Sequence, residues 1–170
     1  MLNSMRFGAA AQLIRAQAAP LFIAICGLAT ASATTLLAAQ GSSSSPVGLW
    51  RSIDDKTGLP QAEIRITANA AGTLTGVIEK GLATLPVEPI CTLCTDDRKD
   101  KPKLGMEIIR GAVKVEKSGG KIVWEGGKIL DPDNGKNYTL RLTPIEGASK
   151  LEVRGSIGPF GRTQTWVRVQ

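Results

Sequence analysis

Histidine is absent from all 170 residues of the chain. With it go the commonest general base near neutral pH and the commonest metal ligand. Imidazole triads, His-ligated zinc and haem–His ligation are therefore excluded. Aromatic residues are scarce, at 4% of the chain: three Trp, three Phe and a single Tyr. Each of them is worth locating. No apolar run approaches the roughly 20 residues that a membrane-spanning helix requires; the strongest covers residues 21–28. No amphipathic helix of useful length follows it. Dense basic stripes with interleaved aromatics are also missing, although the net charge is +6. Lysines and arginines alternate with acids along the chain, which argues against a nucleic-acid partner.

What is present begins with a leader. Arg6 and Arg15 stand in an N-terminal stretch without acids, followed by the short apolar run and by Ala29-Thr30-Ala31-Ser32-Ala33. A basic region, a short apolar core and an A-x-A exit predict a signal peptide over residues 1–33, cut after Ala31 or Ala33. The apolar run is too short for the alternative, an uncleaved anchor. Cys26 follows Ile25, where a lipoprotein signal wants a small residue, so it is expected to leave with the leader. Residues 34–46, including a run of four serines, read as a flexible linker. One domain over residues 47–170 remains. It is expected to be exported, to the periplasm or beyond, and not to be an integral membrane protein after cleavage.

Cleavage leaves two cysteines, Cys91 and Cys94. An even count in an oxidising compartment predicts that they are joined. Two cysteines without histidine supply no standard zinc site, and none of the chain's residues suggests another metal or a cofactor. A redox pair needs its first cysteine at a helix N-terminus after a strand. This pair stands instead in a polar segment, ahead of Asp96-Asp97-Arg98-Lys99-Asp100-Lys101, so a structural staple is the reading.

Alternating apolar and polar residues recur every 10 to 15 positions, with Gly, Pro, Asn and Asp between them. Eight strands are predicted, over residues 47–53, 62–67, 74–80, 106–115, 121–125, 138–143, 150–157 and 162–169. Gly126-Gly127 marks a bulge or bend after the fifth. Short strands joined by hairpins, without helices, predict an up-and-down antiparallel barrel, because closure removes the edge strands. A two-sheet sandwich is the alternative.

On the last strand, Arg162, Gln164, Trp166 and Arg168 share one face, and Thr163, Thr165, Val167 and Val169 the other. Periodicity does not say which face is inside. With the first face inward, an aromatic wall stands beside a cation and an amide. That combination could orient an acidic head group above an apolar tail. Tyr138 and Arg154, on the sixth and seventh strands, are expected to join them. Asp54, Asp55, Asp131 and Asp133 would be the acids of an enzyme. All four lie in turn segments, where Asp usually satisfies backbone donors, so no catalytic residue is nominated.

Two groups of residues carry a resemblance. Gly48-Leu49-Trp50 on the first strand, with Arg168 on the last, resembles the signature of lipocalin-like barrels. In that family the arginine packs across the tryptophan at the closed end, which implies a structural plug of Trp50 and Arg168. The wider pattern includes Asp54-Asp55, the cysteine pair, Gly126-Gly127 and Gly135-Lys136-Asn137-Tyr138. It continues through Val153-Arg154-Gly155 and Phe160-Gly161-Arg162-Thr163-Gln164-Thr165-Trp166. Together these resemble the exported bacterial proteins of domain of unknown function 2147, over about residues 46 to 168. The resemblance implies a lipocalin-like barrel of the cell envelope and no particular activity. The expected function is a binding module for one small apolar or amphipathic molecule with an acidic group. The alternative is a structural or protein-interaction module, docking through the cysteine loop and its charged flank.

Overall fold

The computed structural model describes residues 44–83 and 88–170. The expected signal peptide and most of the linker lie outside the described residues. Eight strands follow one another: β1 (Gly48–Ile53), β2 (Pro60–Ala68), β3 (Leu74–Gly81), β4 (Glu107–Lys117), β5 (Lys121–Asp131), β6 (Lys136–Ile145), β7 (Lys150–Ile157) and β8 (Phe160–Arg168). Each pairs antiparallel with the next, and β8 returns to β1, closing the barrel in chain order. The sandwich alternative is thereby set aside. The closing seam is short, with only Trp50 opposite Arg168 and Arg51 opposite Val167.

The expected strand ends lie within two residues of the observed ones except at the end of the fifth. The fifth strand does not stop at Glu125 but runs on to Asp131. Gly126 and Gly127 are absorbed as a bulge, where the register with β6 slips between Glu125 and Lys128. A β-carbon at Gly127 would lie 2.5 Å from the Ala112 amide nitrogen, so the two backbones meet closely there.

Period-2 alternation turns one apolar set inward from every strand. Trp50, Ile66, Leu74, Leu142 and Leu151 are fully buried and fill the half of the barrel nearest the chain's entry into β1. At that end the Arg168 guanidinium lies 4.2 Å from the centre of the Trp50 ring. Its Nε donates to the Ala148 carbonyl at 2.6 Å, Nη1 to Val47 at 3.0 Å and Nη2 to Ser45 at 2.8 Å. The Trp50 indole N–H donates to the Pro46 carbonyl at 2.7 Å. Burial draws Arg168 below the ordinary arginine value, yet a guanidinium keeps its proton in proteins. The stack is therefore a true cation over an indole. Gly48 is required beside it: its φ is +143°, and a β-carbon would overlap Arg168 Nη1. Ser45 and Pro46 belong to this packed end, with Pro46 fully buried. The folded body thus starts before position 47, inside the stretch expected to be linker.

The long β3–β4 connection carries the disulfide Cys91–Cys94, with Cα atoms 5.4 Å apart and both residues buried. The charged flank is not the solvated loop its composition suggests. Arg98 is only 5% exposed. It donates to Asp96, to the Glu107 carbonyl at 2.9 Å and to Asn137 Oδ1 at 2.7 Å, tying the loop to β4 and β6. Asp97 forms a two-bond ion pair with Arg110.

Hydrogen bonding from the Arg98 side chain holds the Asp96 carboxyl well below the usual carboxylate range. A carboxylate whose folded pKa is depressed stabilises above its unfolded value, here 3.8, and that stability is lost as pH falls through the folded value. The thermal midpoint is therefore expected to hold from pH 7 to about 5 and to fall below about 4. Asp96→Asn should lower the midpoint at neutral pH, because Arg98 loses its anion. It should also flatten the acid fall. Parallel acid profiles for the two proteins would show that this network does not set acid stability.

Candidate ligand-binding cavity

Side chains fill the plugged half of the barrel and leave the other half hollow. A cavity of about 800 Å³ opens at the end that carries the β1–β2, β3–β4, β5–β6 and β7–β8 connections. That volume lies within the range of small-molecule pockets. Its walls are apolar, built from Ile64, Ile78, Ile108, Ile129, Leu130 and Val153. Polar side chains reach in from β1, β2, β6 and β8.

Strand β8 supplies the polar column. Arg162, Gln164 and Trp166 all line the cavity, and Thr163, Thr165 and Val167 face solvent. The facing that periodicity leaves undecided is thus the inward one. From the mouth downward the order is Arg162, Gln164, Trp166, and then Arg168 in the plug. Tyr138, on β6, lines the same space.

Arg154 does not. It is exposed, stands opposite Thr163 on the outer face of the sheet and donates to the Thr163 hydroxyl at 3.3 Å. Its neighbours Val153 and Gly155 line the cavity, and strand alternation then sends residue 154 outward.

Arg162 is not a waiting charge either. Its Nε donates to Asp55 Oδ2 at 2.7 Å, and its Nη2 donates to Asp55 Oδ1 and to Asp54 Oδ2, the latter at 3.3 Å. This guanidinium latches the β1–β2 connection onto β8. The side-chain hydrogen bond from Arg162 holds the Asp55 carboxyl below its ordinary range. Asp54 is also lowered, first by the Thr57 backbone N–H and hydroxyl and only weakly by Arg162. The remaining acids do turn duty. Asp131 accepts from the Asp133 N–H and the Asn134 side chain, and Asp133 pairs with Lys103 at 2.7 Å.

The cysteine loop and the β5–β6 turn shape the mouth together. Cys91 Sγ lies 3.4 Å from the Pro132 carbonyl oxygen, and Lys103 and Pro89 line the cavity beside Pro132 and Asp133. Large apolar side chains stand on the rim, Phe160 at 80% and Leu104 at 65% exposure. Asp55 was missed as a site residue. The pair Asp54-Asp55 is visible in the sequence, but nothing local links it to a residue 107 positions away.

Comparison with known proteins agrees with this architecture. The family described as an uncharacterized protein conserved in bacteria (DUF2147) matches residues 48–168. Among solved structures, the chain is similar to protein HP1028 from the human pathogen Helicobacter pylori, described as belonging to the lipocalin family. The identity is 17% and the TM-score 0.59, over 74% of this chain and 84% of that one. At that identity the likeness speaks for the fold. No curated protein matches.

Proposed function

The chain belongs to the DUF2147 family of bacterial proteins, and from that premise we propose that it is an exported barrel holding one small apolar or amphipathic molecule. The observation that carries this reading is the cavity of about 800 Å³, walled by isoleucine, leucine and valine and open at one end. Wet, such a space leaves apolar surface uncovered; a ligand tail would recover that area at about 25 cal/mol per Å². The Arg162, Gln164, Trp166 and Tyr138 side chains give a polar group on the ligand something to meet. An acidic group would have to take Arg162 from Asp55, so the ligand's polar end need not be an anion. Export rests on the leader over residues 1–33, with the envelope as the place of action.

A second reading, a docking module of the envelope, is favoured by the exposed apolar rim at Leu104 and Phe160. Native mass spectrometry of the protein purified from its own host separates the two. The expected chain mass begins within a few residues of Thr34, and the expected adduct is a few hundred daltons, lost on collisional activation. A bare barrel bound to a second protein would support docking instead. A chain with Met1 intact in the membrane fraction would defeat export.

A further inference from the structure

We propose that the cavity selects a ligand carrying a neutral hydrogen-bond acceptor, an ester or amide carbonyl rather than a carboxylate, and that Gln164 is the residue that binds it. This inference rests on the barrel holding a ligand at all.

The argument starts from a residue that can only donate. The Trp166 indole has one polar atom, Nε1, and it carries a proton. It lies 3.2 Å from the Gln164 side chain, two positions away on the same face of β8. A donor must meet the oxygen of a carboxamide, which fixes the amide: Oε1 is turned to the indole, and Nε2 is turned away from it. Trp166 is 2% exposed and packed in the core, so this orientation is held by a rigid partner. Gln164 is half-buried and lines the cavity, and its NH₂ has no acceptor among the described residues. The barrel thus presents two N–H bonds part-way down its wall.

Tyr138 repeats the pattern. Its hydroxyl oxygen accepts from Asn134 Nδ2 at 3.1 Å, and its own proton has no acceptor among the described residues. Ser52, by contrast, is spent both ways: its hydroxyl donates to the Ala62 carbonyl and accepts from the Ala62 N–H. Gln61 and Glu88, nearer the mouth, keep acceptors of their own, but the groups that Gln164 and Tyr138 leave for a ligand are donors.

Charge decides which acceptor fits. Arg162 is the cation on the polar column, and two carboxylates already answer it. Around the mouth, Asp54, Glu88, Asp131 and Asp133 stand against Lys103, Lys136 and Arg162, and Lys103 is itself paired with Asp133. Lys136, exposed at the rim, has no ion-pair partner among the described residues, but the four acids still outnumber the three cations. A carboxylate carried down to Gln164 would be desolvated on a column whose one cation is already answered, at a cost a neutral carbonyl does not meet.

The test uses two probes with one tail, methyl decanoate and decanoate, titrated into the delipidated protein at pH 7.5 with tryptophan fluorescence as the readout. The ester is expected to bind about tenfold more tightly than the carboxylate. Gln164→Glu keeps an acceptor for the indole but replaces the two N–H donors by an oxygen. It should weaken the ester about fivefold or more, the scale of one hydrogen bond, in protein that thermal unfolding shows to be folded at the titration temperature. Asp55→Asn, on an exposed residue, releases charge on Arg162 and should shift preference toward decanoate. Tighter binding of decanoate by the unaltered protein would overturn the inference and leave the barrel-ligand reading standing. So would an ester affinity indifferent to Gln164→Glu. Failure of both probes to bind would overturn the barrel-ligand reading itself, and this inference with it.

Discussion

Replacing Arg168 by alanine is expected to cost about 3 kcal/mol of stability. The side chain has two jobs there. It lies on the Trp50 ring, a contact that contributes about 1 kcal/mol when partly desolvated. It also donates to three backbone carbonyls, at Ser45, Val47 and Ala148, from three different nitrogens. Hydrogen bonds to a charged group contribute about 1.5–3 kcal/mol each where water is excluded, and less where it can step in. The carbonyl of Ala148 follows the buried side of the turn into β7, so it has the poorest substitute. Arg168→Lys should recover less than half of the loss, because an ammonium cannot reproduce the planar fork across these acceptors. Urea unfolding with a constant slope is the measurement. A loss below about 1 kcal/mol would mean that the plug is ornament on an already stable barrel.

Gly135→Ala is expected to cost about 2–4 kcal/mol and to loosen the cysteine loop from the barrel. Two effects combine. Gly135 has φ +69°, in the left-handed region that a side chain makes costly by about 1–2 kcal/mol. Its would-be β-carbon also overlaps the Leu93 carbonyl and lies 2.9 Å from the Cys94 amide nitrogen, so backbone inside the disulfide loop must move. Gly119 provides the comparison. It has φ +79° but open space around it, and Gly119→Ala should cost only the backbone share. Equal losses at the two glycines would show that the contact between the loop and the β5–β6 turn contributes nothing. A second sign separates the cases: the Cys91–Cys94 disulfide should be reduced faster in Gly135→Ala, since displacing the loop exposes buried sulfur.

The strands were legible because a period of two is written directly in the residues. In β6, Tyr138, Leu140 and Leu142 alternate with Thr139 and Arg141, and the barrel turns the first set inward. The extent of β5 was not legible. Two adjacent glycines read locally as an ending, and only the neighbouring backbone at Ala112 makes them a bulge. The inward face of β8 was likewise invisible, because alternation is symmetric under exchange of faces. Arg98 shows a different failure. A run of alternating charges reads as a solvated face, and its burial depends on Asp96, Asn137 and the Glu107 carbonyl converging from separate elements. The latch from Arg162 to Asp55 is a long-range pairing of this same kind. It changed the chemistry expected of the cavity from a receiver of anions to a presenter of neutral donors.

The short seam between β1 and β8 makes the barrel more like a clasp than a tube. Main-chain pairing fastens it at Trp50 and Arg51, beside the plug, and toward the mouth the fastening passes to side chains, through Arg162 with Asp54 and Asp55. Exposed ion pairs of this kind contribute about 0–1 kcal/mol and weaken with salt. The two ends of the same seam therefore differ in stiffness: one is fixed by backbone and a half-buried guanidinium, the other by an exchangeable bond. Parting the strands at the mouth sacrifices no ladder hydrogen bond between β1 and β8. The seam is expected to part first at its mouth end, where Arg162 can slip from its acids, with the pairing at Trp50 left intact.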